Sequence, residues 1–187
     1  MSSLILFILV GLLTALFLWG VVIFNRLVRD RNQVRAAWSD IDVQLTRRHD
    51  LVPQLVDAVR AYADYERATL TAVTELRARA EQAASLPDKA VLEDEMAAAL
   101  QRLIALAEAY PELKADANFL ELQRDLVEVE DHLQYARRFY NGAVRIYNTR
   151  LETVPDLLVA RPLNFMPAEF FAVDDAQARL APRVALG

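Results

Sequence analysis

The sequence contains no cysteine and only four glycines among its 187 residues. The absence of cysteine excludes disulfide bonds, thiolate metal sites and cysteine nucleophiles, and it leaves the cellular compartment open. So few glycines argue against a turn-rich β protein and against a glycine-rich phosphate-binding loop. The formal net charge is −5, and we therefore expect no nucleic-acid partner.

Recognisable catalytic motifs are also absent. The sequence has no Gly-x-Ser-x-Gly elbow, no Walker sequence and no His-Glu-x-x-His pair. A ferritin-like metal site needs Glu three residues before His, but Thr46 precedes His49 and Val129 precedes His132 at that spacing. We expect no metal, no cofactor and no catalytic residues, and we predict that the chain is not an enzyme.

A long uncharged stretch opens the chain at residues 4–24. As a helix rising about 1.5 Å per residue it spans about 30 Å, which matches the hydrocarbon core of a bilayer. Trp19 lies near its end, where an indole can sit among lipid headgroups. The alternative, a cleaved signal peptide, is disfavoured because the apolar run is too long and lacks a basic start and a small-residue cleavage site. Residues 1–25 are therefore predicted to be a single-pass transmembrane anchor.

Basic residues follow the anchor at once, with only Asp30 opposing them: Arg26, Arg29, Arg31 and Arg35. By the positive-inside rule, we expect the N-terminus outside the cell membrane and the remaining chain in the cytoplasm. A second possible role for this arginine cluster is binding to anionic lipid headgroups.

Four helices are predicted after the anchor. The first covers about 27–48, because Val34, Trp38, Ile41 and Leu45 recur on one helical face. We predict a break at 49–53, with Asp50 as the N-cap of a second helix that ends near residue 84. One continuous kinked helix is the alternative to this break.

The third helix is predicted to begin after the cap Ser85 and to end at Tyr110, before Pro111. The fourth begins near 116–118, where Asn118 and Glu121 form a possible capping box. Its apolar positions follow a coiled-coil-like spacing: Phe119, Leu122, Leu126, Val129, Leu133, Ala136, Tyr140, Ala143 and Tyr147.

The predicted fold class is all-α, with a single N-terminal transmembrane helix followed by an antiparallel four-helix bundle of long helices. The bundle domain occupies residues 26–152. Residues 153–187 form a third region, rich in proline and phenylalanine. We expect this region to be an irregular segment laid against the bundle or flexible, and contact with lipid or a partner is the alternative.

Polar residues interrupt the apolar faces and predict a buried polar seam: Arg48, Asp50, Glu66, Arg137, Asn141 and Asn148. A buried charge is costly unless it is paired. We therefore expect Arg48 or Arg137 to meet a carboxylate, with Glu66, Asp42 and Asp50 as candidates. The alternative is that the arginines reach solvent and the asparagines set helix register. Trp38, Tyr140 and Tyr147 are interpreted as seam aromatics.

Four blocks carry a resemblance to a known family. They are NQVRAAWSDID at 32–42, VQLTRRHDLVPQLV at 43–56, YPELKADANFLELQRDL at 110–126 and ARRFYNGAVRIYN at 136–148. Together with the order of anchor, helices and closing segment, they resemble the LemA family. The resemblance implies a bacterial cell-membrane protein with a long four-helix domain, and it implies no established activity.

Two functions are compatible with these features. The first is a membrane-anchored scaffold or interaction protein, whose partners are the lipid bilayer and other membrane proteins or further copies of itself. The second is an enzyme or ligand-binding bundle with an unrecognised polar pocket, lined by Arg48, Glu66, Arg137 and Asn141.

Overall fold

The computed structural model describes residues 2–63 and 65–171, and all regular secondary structure in these ranges is helical. The all-α prediction is thus confirmed for the described residues. The helices in these ranges are α1 Ser2–Arg60, α2 Arg67–Gln82, α3 Leu86–Ala107, α4 Pro111–Lys114, α5 Ala117–Glu152 and α6 Leu157–Ala160. Residues 172–187 of the predicted closing region lie outside the described residues.

Helix α1 runs through the predicted break at 49–53, so that prediction is wrong, and the alternative of one continuous helix holds only as far as Arg60. Pro53 has no N–H and leaves the carbonyl of His49, four residues earlier, without its helical partner. The guanidinium of Arg77 supplies a replacement, because its Nε donates to the His49 carbonyl oxygen at 2.9 Å. This contact from α2 gives a physical reason for the helix to continue past proline.

The chain leaves helical structure at residues 61–66 instead. The predicted second helix, 50–84, is therefore replaced by the end of α1 and by a shorter α2. This connection contains neither glycine nor proline, so it carries no sequence signal for a helix end. Tyr62 lies in it and donates a hydrogen bond from its hydroxyl to Asp116 at 3.2 Å.

The starts of the later helices agree closely with the predicted positions. Ser85 caps α3, since its hydroxyl oxygen accepts from the Asp88 amide. Helix α3 ends at Ala107, three residues before the predicted end. Asp116 caps α5 by accepting from the Phe119 amide at 2.9 Å, in place of the predicted Asn118 capping box.

The chain divides into two compact units, and α1 and α5 each contribute residues to both. The described part of the first unit contains residues 2–40 and 138–168. Residues 2–22 of α1 contain no buried side chain, and burial begins with Ile23 and Leu27. This helix is long and apolar enough to cross a membrane. The residues of α5 that are buried in this unit are Tyr140, Ala143, Val144, Tyr147 and Leu151.

The second unit contains residues 41–137 and 169–187, of which 41–63, 65–137 and 169–171 are described. Helices α2 and α3 pack against each other in this unit. Its apolar core takes side chains from α1 to α5, among them Leu55, Val73, Leu100, Leu113 and Leu126. The predicted apolar face of α5 is confirmed here, because Val129 and Leu133 are also buried.

Candidate functional site

The most buried polar side chains in the described residues belong to an ion-pair cluster in the second unit. Arg48 of α1 is 1% exposed and Glu93 of α3 is fully buried. The Nη1 of Arg48 donates to the Glu93 carboxylate at 2.9 Å and to the Glu93 carbonyl oxygen at 3.0 Å. Its Nη2 donates to the carboxylate of Glu130 on α5 at 2.7 Å. Arg48 therefore links three helices through charge-assisted hydrogen bonds.

His49 extends this cluster to α2. Its Nε2 lies 2.8 Å from the second carboxylate oxygen of Glu93, and its Nδ1 lies 3.6 Å from Glu81. A carboxylate oxygen at this distance can accept a hydrogen bond from a protonated Nε2. Arg77 pairs with Glu81 at 3.0 Å and also binds the His49 carbonyl oxygen. We call Arg48, His49, Arg77, Glu81, Glu93 and Glu130 the buried ion cluster.

The centre of the buried ion cluster, Arg48 with Glu93, is closed to solvent, whereas Arg77, Glu81 and Glu130 are partly exposed. Both carboxylate oxygens of Glu93 are occupied, one by Arg48 and one by His49. A buried charge without a partner is strongly destabilising, whereas a paired one fixes the geometry of the elements that hold it. In residues 2–63 and 65–171, no group of three or more His, Asp and Glu side chains could hold a metal ion. The arrangement therefore supports a role in fixing helix register.

Arg137 forms a second charged contact in the same unit. Its Nη1 lies 2.6 Å from the Asp94 carboxylate, and its guanidinium lies over the ring of Phe171 at 4.8 Å from the centroid. Asp94 is the neighbour of Glu93 on α3, so two adjacent acidic residues bind arginines from two different helices. Arg137 thereby connects α5 both to α3 and to Phe171, within the second unit.

Both arginines are paired, but not with the predicted carboxylates. Asp50 is exposed, since two residues after Arg48 on a continuous helix lie about 200° around its axis. Glu66 occupies the N-cap position of α2, outside any helical face, because α1 ends at Arg60. Asp42 is exposed and lies 3.8 Å from Lys89. Neither Asp50 nor Glu66 therefore belongs to a buried seam.

In the first unit, neutral side chains of α5 hold the segment that follows it, residues 153–168, which we call the closing segment. The Asn148 amide donates to the Ala168 carbonyl oxygen at 2.8 Å and accepts from the Ala168 N–H at 2.9 Å. The Tyr147 hydroxyl donates to the Met166 carbonyl oxygen at 3.1 Å. Burial raises the pKa of Tyr147, and the positive charges of Arg31 and Arg35 oppose that shift. The predicted Asn141 is half-buried and also engaged by a partner.

Aromatic rings complete the first unit. Trp38 and Tyr140 meet edge to face with centroids 5.8 Å apart. Phe24 and Phe165 meet in the same way at 5.9 Å, and the Arg31 guanidinium lies 5.2 Å from the Phe165 centroid. The closing segment thus contacts α1 at the end of the uncharged stretch, through Phe24, and one to two turns after it, through Arg31.

The remaining topology residues lie on the surface. Trp19, Arg26, Arg29 and Arg35 are exposed, whereas Arg31 is half-buried against Phe165. Asp30 lies 2.7 Å from Arg150, which also lies 3.5 Å from the buried Asp156. The single acidic residue among the arginines is therefore engaged with α5 rather than with its neighbours.

Sequence reasoning missed Glu93, Glu130 and Asp94 as partners of the arginines. A signal for Glu93 was present, because it lies three residues before Met96 and seven before Leu100, both buried on α3. A carboxylate at an apolar position of one helix and an arginine at such a position of another predict a pair. Glu130 and Asp94 gave no comparable signal, since they lie at the edges of their apolar faces.

Comparisons with known proteins cover most of the chain. A model described as LemA family matches residues 37–186. Protein LemA of Metamycoplasma hominis is 25% identical over 154 residues, covering 82% of this chain and 70% of that protein. Magnetosome proteins MamQ 1 and MamQ 2 of Paramagnetospirillum magneticum are each 34% identical over 73 residues, covering 39% of this chain. The match spans only 27% of each magnetosome protein.

Proposed function

Since this chain belongs to the LemA family, we propose that it is a single-pass protein of the bacterial cell membrane that acts as a helical scaffold or interaction module. Its partners in this proposal are the lipid bilayer and other membrane proteins or copies of itself. We also propose that the long helices after the anchor form an antiparallel four-helix bundle.

The observation that carries the proposal is the state of residues 2–22. They contain no charged residue and no buried side chain, and they belong to a helix that continues to Arg60. Large apolar side chains in water are unfavourable at this density, and a surface of this size needs a membrane or a partner to cover it. A helix of this length and composition fits a bilayer core.

The orientation follows from the residues at the end of the anchor. Arg26 and Arg29 are exposed, and Asp30 is engaged by Arg150. An uncompensated cluster of arginines next to a membrane helix favours the cytoplasmic side. The proposal therefore places the N-terminus outside and the helical domain in the cytoplasm of the inner membrane.

The outer face of α5 supports an interaction role. Phe139 and Ile146 are 53% and 56% exposed, and a spacing of seven residues puts them on one side of the helix. Both are large apolar side chains that remain exposed on the first unit. We propose this pair as part of a surface for a protein partner.

The alternative function, an enzyme or ligand-binding bundle, requires an open polar pocket around Arg48. Arg48 is closed from solvent and binds Glu93 and Glu130, whereas Arg137 binds Asp94. Glu66 lies at the start of α2, away from any helical face. Arg48, Arg137 and Glu66 are thus held in separate contacts, which supports the scaffold proposal over this alternative.

The anchor is tested by introducing charge into it. Leu9→Arg with Leu13→Arg adds two charges near the centre of the apolar stretch, each costing about 2.5–3.5 kcal/mol for insertion. Matched controls are Val43→Arg and Val91→Arg, at exposed apolar positions of the second unit. Wild type and control should remain in the membrane fraction after an alkaline carbonate wash, and the anchor variant should be released. Release of the wild type would overturn the anchor.

The orientation and the partner need separate measurements. A C-terminal alkaline phosphatase fusion should be inactive and a green fluorescent protein fusion fluorescent, and the opposite pattern would reverse the orientation. For the partner, a photo-crosslinking residue at Phe139 or Ile146 should give a discrete adduct in intact cells, whereas one at the exposed Glu95 should not. Failure at both positions under several growth conditions would count against the interaction role.

A further inference from the structure

The closing segment carries large apolar side chains on its surface. Val154, Leu158, Leu163 and Met166 are 71%, 62%, 52% and 73% exposed. Asp156, the acidic residue among them, is buried and lies 3.5 Å from Arg150. The segment thus exposes four large apolar side chains together with the charged Arg161, and it is helical only at Leu157–Ala160. Such a patch marks a surface that contacts something apolar.

This patch is continuous with the apolar anchor. Val159 and Leu163 line an open groove of about 320 Å³ together with Phe17, Gly20, Val21 and Phe24. The four anchor residues come from the uncharged stretch, so the groove wall is shared between the anchor and the closing segment. Phe165 also packs edge to face on Phe24. The closing segment therefore lies beside the last turns of the anchor, at the depth where that helix would leave a bilayer.

An irregular segment can lie at this depth only if its backbone polar groups have partners within the protein. The Tyr147 hydroxyl and the Asn148 amide satisfy the carbonyl of Met166 and both polar groups of Ala168. The turn before them is closed by its own backbone bonds, from the Asn164 and Phe165 amides to earlier carbonyls. Three prolines in the segment have no N–H that needs a partner: Pro155, Pro162 and Pro167.

We infer that the closing segment is a second membrane contact of this protein. Leu158, Leu163 and Met166 enter the acyl-chain region of the leaflet that α1 leaves, and a lipid acyl chain fills the shared groove. The inference rests on the proposed membrane anchor, because the groove wall belongs to it. The occupant is assigned as lipid because four of the six residues that line the groove belong to the anchor and would already face hydrocarbon.

The absence of cysteine in the chain makes the test direct. Single variants Leu158→Cys, Leu163→Cys and Met166→Cys of the full-length protein are labelled with bimane and reconstituted in phosphatidylethanolamine–phosphatidylglycerol vesicles. Leu12→Cys reports the anchor, and Val91→Cys reports an exposed apolar position of the second unit. Quenching is measured with lipids spin-labelled near the glycerol end or near the methyl end of the acyl chain, and with aqueous iodide.

The three closing-segment positions should lose about half or more of their fluorescence to the shallow spin label and little to iodide, as expected for side chains about 5–10 Å into the boundary region. Leu12→Cys should be quenched most by the deep label, and Val91→Cys by iodide alone. If the three positions follow Val91→Cys while Leu12→Cys stays lipid-quenched, the inference is overturned and the anchor stands. Shielding from both quenchers would also overturn it, since protein would then cover the patch. Iodide quenching of Leu12→Cys would remove the anchor and the inference together.

Discussion

In the second unit the buried polar groups are charged and pair with one another between helices. In the first unit an ion pair, Arg150 with Asp156, holds the start of the closing segment, whereas neutral groups hold its end. Arg48 and Glu93 are 1% and 0% exposed and bind each other at 2.9 Å. Asn148 and Tyr147, by contrast, use an amide and a phenol to bind backbone groups of the closing segment. The difference indicates two purposes. Charged groups fix helices against one another, and neutral groups hold the non-helical end of the closing segment on α5.

The two kinds of contact should fail differently. Removing one partner of a buried ion pair leaves an uncompensated charge and destabilises the whole unit. Removing a neutral hydrogen bond costs less and can be confined to the segment it held. The second unit should therefore respond as a cooperative whole, and the closing segment should detach locally.

The largest effect is expected at Glu93. Glu93→Ala leaves Arg48 with Glu130 as its carboxylate partner, beside the backbone carbonyl of residue 93, and deprives His49 of its 2.8 Å partner. We expect a loss of about 3–5 kcal/mol in the free energy of unfolding, as for other broken buried pairs. Denaturant titration of the detergent-solubilised protein, followed by helical circular dichroism, measures it. Glu95→Ala, at an exposed position of α3, should change stability by less than about 0.5 kcal/mol.

A double variant sharpens the interpretation. Arg48→Met with Glu93→Leu removes both buried charges and keeps the volume, so it should be more stable than Glu93→Ala alone. If the double variant is as unstable as the single one, lost packing rather than a stranded charge accounts for the effect. If Glu93→Ala behaves like Glu95→Ala, the second unit does not depend on its buried ion cluster.

At the closing segment, Asn148→Ala removes two hydrogen bonds to Ala168 and should cost about 1–3 kcal/mol. The loss should be local, because the aromatic contacts and the Arg150 ion pairs of the unit involve other residues. Hydrogen exchange of residues 161–168 should accelerate, while that of α3 stays unchanged. Thr149→Ala, at the exposed next position of α5, is the control. Equal acceleration in α3 would remove the distinction between the two units.

How much of this could be predicted from sequence depends on the range of the contacts. Apolar periodicity correctly identified Ile41 and Leu45 on α1 and Leu126 and Leu133 on α5 as buried. The Ser85 cap was also predicted, because an N-cap is read within four residues. These are local properties, set by helical repeat and by backbone hydrogen bonding.

The wrong predictions concern contacts between residues distant in sequence. Pro53 stays within α1 because the His49 carbonyl is satisfied by Arg77, which lies 28 residues after His49 in the sequence. Glu93 meets Arg48 across a separation of 45 residues. No periodicity within one helix indicates which of several carboxylates on other helices an arginine will reach. The sequence predicted that Arg48 needed a partner, and only the packing of α3 decided which one.

A smaller effect in the second unit is expected at Arg137. Arg137→Ala removes its ion pair with Asp94 and its contact with the Phe171 ring. Because the side chains of Arg137 and Asp94 are 17% and 41% exposed, we expect a loss of about 1–2 kcal/mol in the free energy of unfolding. Arg137→Lys keeps the charge but lacks the planar guanidinium that stacks on the ring. It should therefore recover only part of the loss. A loss as large as that of Glu93→Ala would show that burial does not separate the two arginines.

The smallest effect, and the one most sensitive to pH, is expected at Tyr147. Tyr147→Phe removes the hydrogen bond to the Met166 carbonyl and should cost about 0.5–1.5 kcal/mol at pH 8. Tyr65→Phe, at a ring that is 98% exposed, should leave the unfolding midpoint at pH 8 unchanged. The pKa of Tyr147 is raised above its ordinary value of 10.0, mainly by burial. The folded state therefore keeps the phenolic proton to higher pH than the unfolded state does.

It follows that the contribution of the Tyr147 phenol is complete below pH 10 and is lost as the pH rises from about 10 through the raised pKa. Phenylalanine cannot ionise, so the stability difference between wild type and Tyr147→Phe should shrink between pH 8 and pH 11. Unfolding midpoints of both proteins at the two pH values measure this. A difference that grows with pH would mean that Arg31 and Arg35 stabilise the phenolate more than burial disfavours it. In that case charge would also hold the end of the closing segment, and the contrast with the neutral contacts described for Tyr147 and Asn148 would disappear.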